Sequence, residues 1–245
     1  MPIPKKDKRL KRDLSSPPPP TPDRSTNGAH APVAAERTGQ DPSHARPAER
    51  VRSICVYCGS GPGRGPVYAE AARTLGRALA ASGIGLVYGG GGLGLMGEVA
   101  RATLESGGKV TGIIPDFLTA REHMLTDVTD LVVTSDMHER KRLMFERSDA
   151  FVALPGGIGT LEELVEQMTW AQLGRHHKPI VVANIAGFWA PFLHLLTHMR
   201  AEAFIRAGLE VPFDAVDEAE DIVPRITALH AARQHIAEPA AMIKF

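Results

Sequence analysis

The sequence predicts an α/β fold: a Rossmann-like, doubly wound parallel sheet flanked by helices in a single domain. Three observations carry that prediction. From Arg52 to about residue 230, short apolar runs alternate with amphipathic stretches; glycine clusters follow three of those runs; and only 5% of the chain is aromatic although 43% is hydrophobic. Alternation at this spacing signals βαβ units and a parallel sheet. Glycine-rich strand-to-helix turns line the edge at which such sheets bind ligands. A core drawn mainly from Ala, Val, Leu and Ile suits packed α/β layers better than an aromatic-rich sandwich.

Residues 1–50 come first and break the pattern. They hold ten of the 19 prolines, including Pro17 to Pro20, and no hydrophobic period. Such a segment buries too little apolar surface to offset its ordering entropy, so a disordered, solvated tail is expected there, with the folded domain over 51–245. Residues 1–52 carry a net charge of +5 and the remainder −5. The acidic body argues against nucleic acid as a partner, because duplex affinity comes largely from Lys and Arg on phosphate. No run approaches the ~20 apolar residues of a membrane span, and MPIPKKDKRLKRD is not followed by the apolar stretch of a secretory signal. The expected location is cytoplasmic, away from membranes.

Strands are expected near 53–58, 84–88, 109–114, 130–133, 150–154 and 179–183. Helices are expected near 66–82, 95–106, 137–147, 159–173, 188–206 and 217–234. The first strand contains Cys55 and Cys58, the only cysteines. Their C-x-x-C spacing is formal only, since positions three apart on a strand face opposite sides. Two buried thiols in a reducing compartment are expected instead of a metal or redox pair.

The first glycine cluster is Gly59-Ser60-Gly61-Pro62-Gly63. The second, Gly89-Gly90-Gly91-Gly92-Leu93-Gly94, formally satisfies a dinucleotide fingerprint, but Asp116 is poorly placed as the acidic residue that fingerprint needs. Glycine lets backbone approach a ligand closely, and free N–H groups at the following helix favour an anion. Gly59, Ser60, Gly89, Gly90 and Gly91 are therefore candidate phosphate contacts.

The third cluster is Pro155-Gly156-Gly157-Ile158-Gly159-Thr160, followed by Leu161, Glu162 and Glu163. Thr160 is placed to meet phosphate or cap the helix. Glu162 and Glu163 are expected in the first helical turn, where acids complement the dipole. Successive helical residues lie about 100° apart, so at most one of the two faces a ligand. Met137-His138-Glu139-Arg140-Lys141-Arg142 opens the preceding helix. Arg142 reads as solvated, whereas Arg140 and Lys141 sit where a cation can grip phosphate.

These segments carry a resemblance. From about Ile54 to Ile226 the chain resembles the Lonely Guy family of cytokinin riboside 5′-monophosphate phosphoribohydrolases, older members of which were labelled lysine decarboxylases. The likeness rests on CVYCGSGPG (55–63), LVYGGGGLGLMG (86–97), the turn from Pro115 to Glu122, MHERK (137–141) and PGGIGTLEE with TWAQLG (155–174). It implies hydrolysis of the N-glycosidic bond of AMP or a cytokinin nucleotide by water, with neither cofactor nor metal, in a homodimer or larger homo-oligomer. It also implies Arg140 and Glu163 as the catalytic pair. Substrate contacts would come from Glu122, Arg140, Lys141, Gly156, Gly157, Ile158, Gly159, Thr160, Leu161, Glu162 and Thr169. Gly92, Leu93 and Ile158 stand where plant members commonly have Ser, Ile and Tyr, which bears on base specificity. A non-catalytic nucleotide or cofactor carrier, or a hydrolase of pyrimidine nucleotides, would share much of this pattern.

Two further features read as inert. His194 and His198 have metal-ligand spacing on one helix, but no third ligand is visible, so packing or surface histidines are expected. His176-His177 reads as a solvated loop. Helix 159–173 carries Leu161, Leu164, Val165, Met168 and Trp170, more apolar breadth than one sheet face requires, and regions 95–106 and 159–206 are the expected subunit interface.

Overall fold

Strands that are apolar on both faces need helices on both sides of the sheet, and that is the arrangement found. The structure, a computed structural model, describes residues 50–237. The expected tail over 1–50 falls, but for Arg50, outside the described residues. Elements run β1 (Ser53–Tyr57), α1 (Pro66–Ala81), β2 (Gly85–Tyr88), α2 (Gly94–Glu105), β3 (Val110–Pro115), β4 (Asp130–Thr134), α3 (Met137–Glu146), β5 (Ala150–Ala153), α4 (Ile158–Gln172), β6 (Ile180–Ala183), α5 (Ala190–Ala201), β7 (Asp214–Val216) and α6 (Ile222–Ala237). The strands form one sheet of order β4-β3-β2-β1-β5-β6-β7, with every pair parallel.

Period-two alternation splits the core in two. Ile54, Val56, Leu86 and Tyr88 point to the face covered by α1, α2 and α6, where Leu75, Leu79, Val99 and Ile226 meet them. Cys55, Tyr57, Val87 and Phe151 point to the other face, against Met144 of α3 and Leu164 and Met168 of α4. Cys55 and Cys58 therefore lie in separate cores, and burial pushes both thiols well above their ordinary range. The chain steps outward from β1 to β4, returns beside β1 as β5, and then winds the other way. The strand order thus reverses between β1 and β5, and a ligand crevice opens at their carboxyl ends.

Three expectations are corrected. β7 was not anticipated; three residues are too few for a periodic signal. Region 95–106 has little apolar surface left for another chain, because Leu95, Met96, Val99 and Ala100 are buried within the protomer. His176 is buried, not solvated: Lys178 N donates to its Nδ1, its Nε2 lies 3.2 Å from the Gln167 carbonyl, and its ring packs on Phe145 and Phe151. Burial, the largest cause, lowers its pKa, so the neutral ring is favoured. His194 and His198 lie exposed on α5. Among the described residues no helix is long and apolar enough to cross a membrane.

The packing of α1 on α2 depends on Gly76 of α1. A Cβ there would lie 2.6 Å from the Val99 carbonyl oxygen and 2.9 Å from the Ala102 Cβ, both on α2. Gly76→Ala returns about 1 kcal/mol of helix propensity, but overpacking costs about 1–3 kcal/mol, and the obstructing atom is backbone. A net loss of up to about 2 kcal/mol is expected in urea unfolding; an unchanged midpoint would mean that α2 can back away freely.

Candidate active site

The crevice between β1 and β5 holds a cleft of about 370 Å³. Its walls include Ser60, Gly89, Met96, Glu122, Met137, Arg140, Met144, Gly157 to Thr160, and Glu163. A second cavity of about 290 Å³ adjoins it, sharing Ser60 and Gly157 and reaching Tyr68 and Phe188.

α3 brings the first charged group. Asp136 caps the helix, accepting from the N–H groups of His138 and Glu139 at 2.8 and 2.9 Å, as short polar N-cap residues do. One turn later Arg140 points inward. Its Nε donates to the Ile113 carbonyl of β3 at 3.2 Å, and its Nη1 lies 3.0 Å from Glu163 Oε1. The two side chains are only 11% and 9% exposed. Arg140 thus spends part of its five-donor fork inside the protein, which is not the free phosphate grip expected of it.

α4 brings the second. It begins at Ile158 with Gly157 as an N-cap that offers no side-chain hydrogen bond, so the first N–H groups of the helix stand in the cleft wall beside Gly157, Ile158, Gly159 and Thr160. Gly156 is required because a Cβ there would collide with the Thr160 side chain. The early helix start also places Glu162 and Glu163 in the second turn, not the first. Dipole complementation therefore does not explain them. Glu163 is buried in the cleft, and burial, the largest cause, raises its pKa. Arg140 and Lys141 pull it down, while Glu162 and Glu166 push it further up.

The other sequence candidates divide cleanly. Ser60 and Gly89 reach the cleft, whereas Gly59, Gly90 and Gly91 bind loops together. The Gly59 carbonyl accepts from Leu95 N and Met96 N at 3.0 and 3.3 Å, Gly90 O accepts from Leu125 N at 3.0 Å, and Gly91 bridges to Met124. The α2 N-terminus is consequently closed by protein and is not the anion site that its glycines suggested. Gly156 lines only the adjoining cavity. Lys141, Leu161, Glu162 and Thr169 do not line the main cleft: Lys141 Nζ lies 2.7 Å from Glu162 Oε1, Leu161 packs on the core, and the exposed Thr169 hydroxyl bonds the Val165 carbonyl. Arg142 pairs with Glu146 at the surface, as expected of a solvated face.

The sequence reading missed Tyr57, Cys58, Met96, Leu118 and Met144 in the cleft wall. The one available signal was position, since Tyr57 and Cys58 end β1 at the carboxyl edge. The apolar residues are indistinguishable from core until the sheet order is known.

Comparison with known proteins gives the family. Residues 96–226 match the family described as possible lysine decarboxylase. The chain is 42% identical over 193 residues to a probable cytokinin riboside 5′-monophosphate phosphoribohydrolase of Oryza sativa subsp. japonica, covering 79% of this chain and 86% of that one. It is 48% identical over 164 residues to the cytokinin riboside 5′-monophosphate phosphoribohydrolase of Rhodococcoides fascians, covering 66% and 82%. Among solved structures, the molybdenum cofactor binding protein of Rippkaea orientalis superposes with a TM-score of 0.56 over 74% of this chain and 98% of its own; at 21% identity this likeness speaks to the fold alone. At these identities and coverages, and with the family match over residues 96–226, the chain belongs to the cytokinin riboside 5′-monophosphate phosphoribohydrolase family.

Proposed function

We propose that the protein hydrolyses the N-glycosidic bond of a nucleoside 5′-monophosphate, AMP or a cytokinin riboside 5′-monophosphate, to free base and ribose 5-phosphate. The observation that carries this reading is the buried Arg140–Glu163 pair in the cleft. Desolvating two charges costs several kcal/mol per ion, and a protein that merely carried a nucleotide would have no use for a carboxylate there. Breaking the ribosyl C1′–N bond builds positive charge on the sugar, which an adjacent carboxylate stabilises, as in glycoside hydrolysis generally. Water then supplies the oxygen to C1′ and its proton goes to the departing base. Ionised Glu163 fits both charge stabilisation and water positioning. Arg140, already bonded to Ile113 and Glu163, fits the holding of that carboxylate in its charged form.

The phosphate is assigned to the open N-terminus of α4, where Gly157, Ile158, Gly159 and Thr160 present first-turn N–H groups and a hydroxyl. Glu122 and Ser60 stand elsewhere on the same wall and suit the base and sugar. Thr169, assigned to substrate by resemblance, lies on the outer face of α4, in the same stretch of chain as the exposed apolar residues Val165, Leu173 and Leu195. α5 packs Phe192 and Leu196 partly against the core but fully buries none of its residues. A second copy covering this face accounts for both facts, so the working unit is a homo-oligomer, most simply a homodimer, in the cytoplasm.

Four outcomes test these readings. AMP should release adenine, read by chromatography, while adenosine is nearly inert; comparable turnover of both would remove the phosphate from the scheme. Glu163→Gln should lower turnover by about 10²–10⁴, whereas Glu162→Gln retains it. Because catalysis needs ionised Glu163 and burial raises its pKa, activity should fall, as pH drops, at a pH above the ordinary glutamate range, and an acid limb at the ordinary value would count against the assignment. Light scattering should give at least twice the 26.3 kDa chain mass; a single-chain species would leave the α4–α5 face without its cover.

A further inference from the structure

β6 lies next to β5 and parallel to it, so the turn that leaves its carboxyl end, Asn184 to Trp189, stands on the ligand edge of the sheet. That turn is pinned at both ends. Asn184 Oδ1 accepts from Trp189 N at 2.8 Å, and its Nδ2 donates to Asp217 Oδ1 at 2.9 Å. Within it Ala186 and Gly187 take φ of 50° and 73°. A left-handed alanine is strained and persists only where its surroundings hold it. What the turn presents is Phe188, whose ring meets Tyr68 of α1 edge to face at a centroid distance of 5.9 Å. These two rings wall the adjoining cavity of about 290 Å³, together with Leu95, Pro155 and the backbone of Gly61 and Gly156. Among the described residues no charged side chain lines it. The cavity meets the main cleft at Ser60 and Gly157.

We propose that this cavity is a second binding site, one that takes a planar, uncharged aromatic group esterified to the phosphate of a nucleoside 5′-monophosphate. The proposal rests on the phosphate lying at the N-terminus of α4. A substituent on that phosphate sets out from Gly157, a residue the two cavities share, whereas a substituent on the base sets out from the other end of the nucleotide. The chemistry of the wall narrows the class further. A second phosphate, as in a nucleoside diphosphate, would bring charge against a surface that offers no cation to pair with it. A ring gains instead from the apolar area it buries and from stacked or edge contacts with Tyr68 and Phe188. The diester keeps one negative charge for the N–H groups of α4. Such a ligand fills both cavities at once and therefore competes with AMP.

The test compares three compounds as inhibitors of adenine release from AMP: adenosine 5′-phenyl phosphate, adenosine 5′-methyl phosphate and ADP. The two esters carry the same charge and differ in the ring, so the ratio of their inhibition constants reads the cavity. The phenyl ester should bind about tenfold or more tightly than the methyl ester, and ADP should fall behind the phenyl ester. Equal inhibition by the two esters, or ADP matching the phenyl ester, would overturn the proposal. Phe188→Ala and Tyr68→Leu should each cut the preference for the phenyl ester severalfold while leaving KM for AMP unchanged. If either variant raised KM for AMP as much as it weakened the phenyl ester, the cavity would belong to the monophosphate itself and the proposal would fall. Should the variants fail to fold, the three compounds on the unaltered protein decide. Calorimetric binding of the two esters separates this site from the reading beneath it. A phenyl preference in a protein that releases no adenine from AMP supports the cavity and removes the hydrolase reading; no preference in a protein that does release adenine removes the cavity alone.

Discussion

Burying an arginine and a glutamate together at the end of a sheet constrains everything around them. Arg140 lies 3.0 Å from Glu163 and also reaches the carbonyl of Ile113, so one side chain joins α3, α4 and β3. An unpaired charge in that place would cost several kcal/mol. The pair therefore holds only if the sheet order, the start of α3 and the pitch of α4 are all correct. The strand switch between β1 and β5 supplies the room, and the carboxylate cap by Asp136 fixes where α3 begins, hence which of its residues turns inward.

The same constraint divides labour between the two α4 faces. The inner face presents Glu163 to the cleft; the outer face carries Glu162 and Glu166 toward Lys141. Adjacent residues of like chemistry thus acquire different surroundings through helical geometry alone. Glu162 stays half exposed while Glu163 is almost sealed from solvent, and that burial raises the pKa of Glu163. The 100° between neighbours on a helix is doing chemical sorting.

Much of this was legible beforehand, and the illegible parts have physical reasons. The strands of the centre, such as SICVY and AFVA, are apolar throughout, as doubly covered parallel strands must be, and six of the seven were expected with boundaries near those observed. The edge strand β7 has three residues and no periodicity to read. The motifs located the α4 turn and the charged start of α3, because glycines and charges at a strand end are local signals, whereas the choice of Arg140 and Glu163 among their neighbours came from the family resemblance. The partners were another matter. That Lys141 meets Glu162 and Glu166 depends on how α3 and α4 pack, a contact about 20 residues long in sequence. That Gly59 closes α2 joins loops more than 30 residues apart. His176 looked like a solvated loop because nothing local reveals the Phe145 and Phe151 rings that enclose it.

The closure of α2 by Gly59 has a consequence of its own. The acceptor that satisfies Leu95 N and Met96 N is a main-chain carbonyl, and Gly59 N is tied in turn to the Pro155 carbonyl at 3.1 Å. A side-chain cap can be deleted by one substitution; this one cannot, since every residue type carries the same carbonyl. What the lock does register is chain length. One residue added or lost between β1 and Gly59, or between β2 and Leu95, would carry the acceptor out of line with both N–H groups. In a set of diverged sequences this corner of the fold should be marked by the spacing of its loops and by glycine at 63, 65, 90 and 94, where φ is positive.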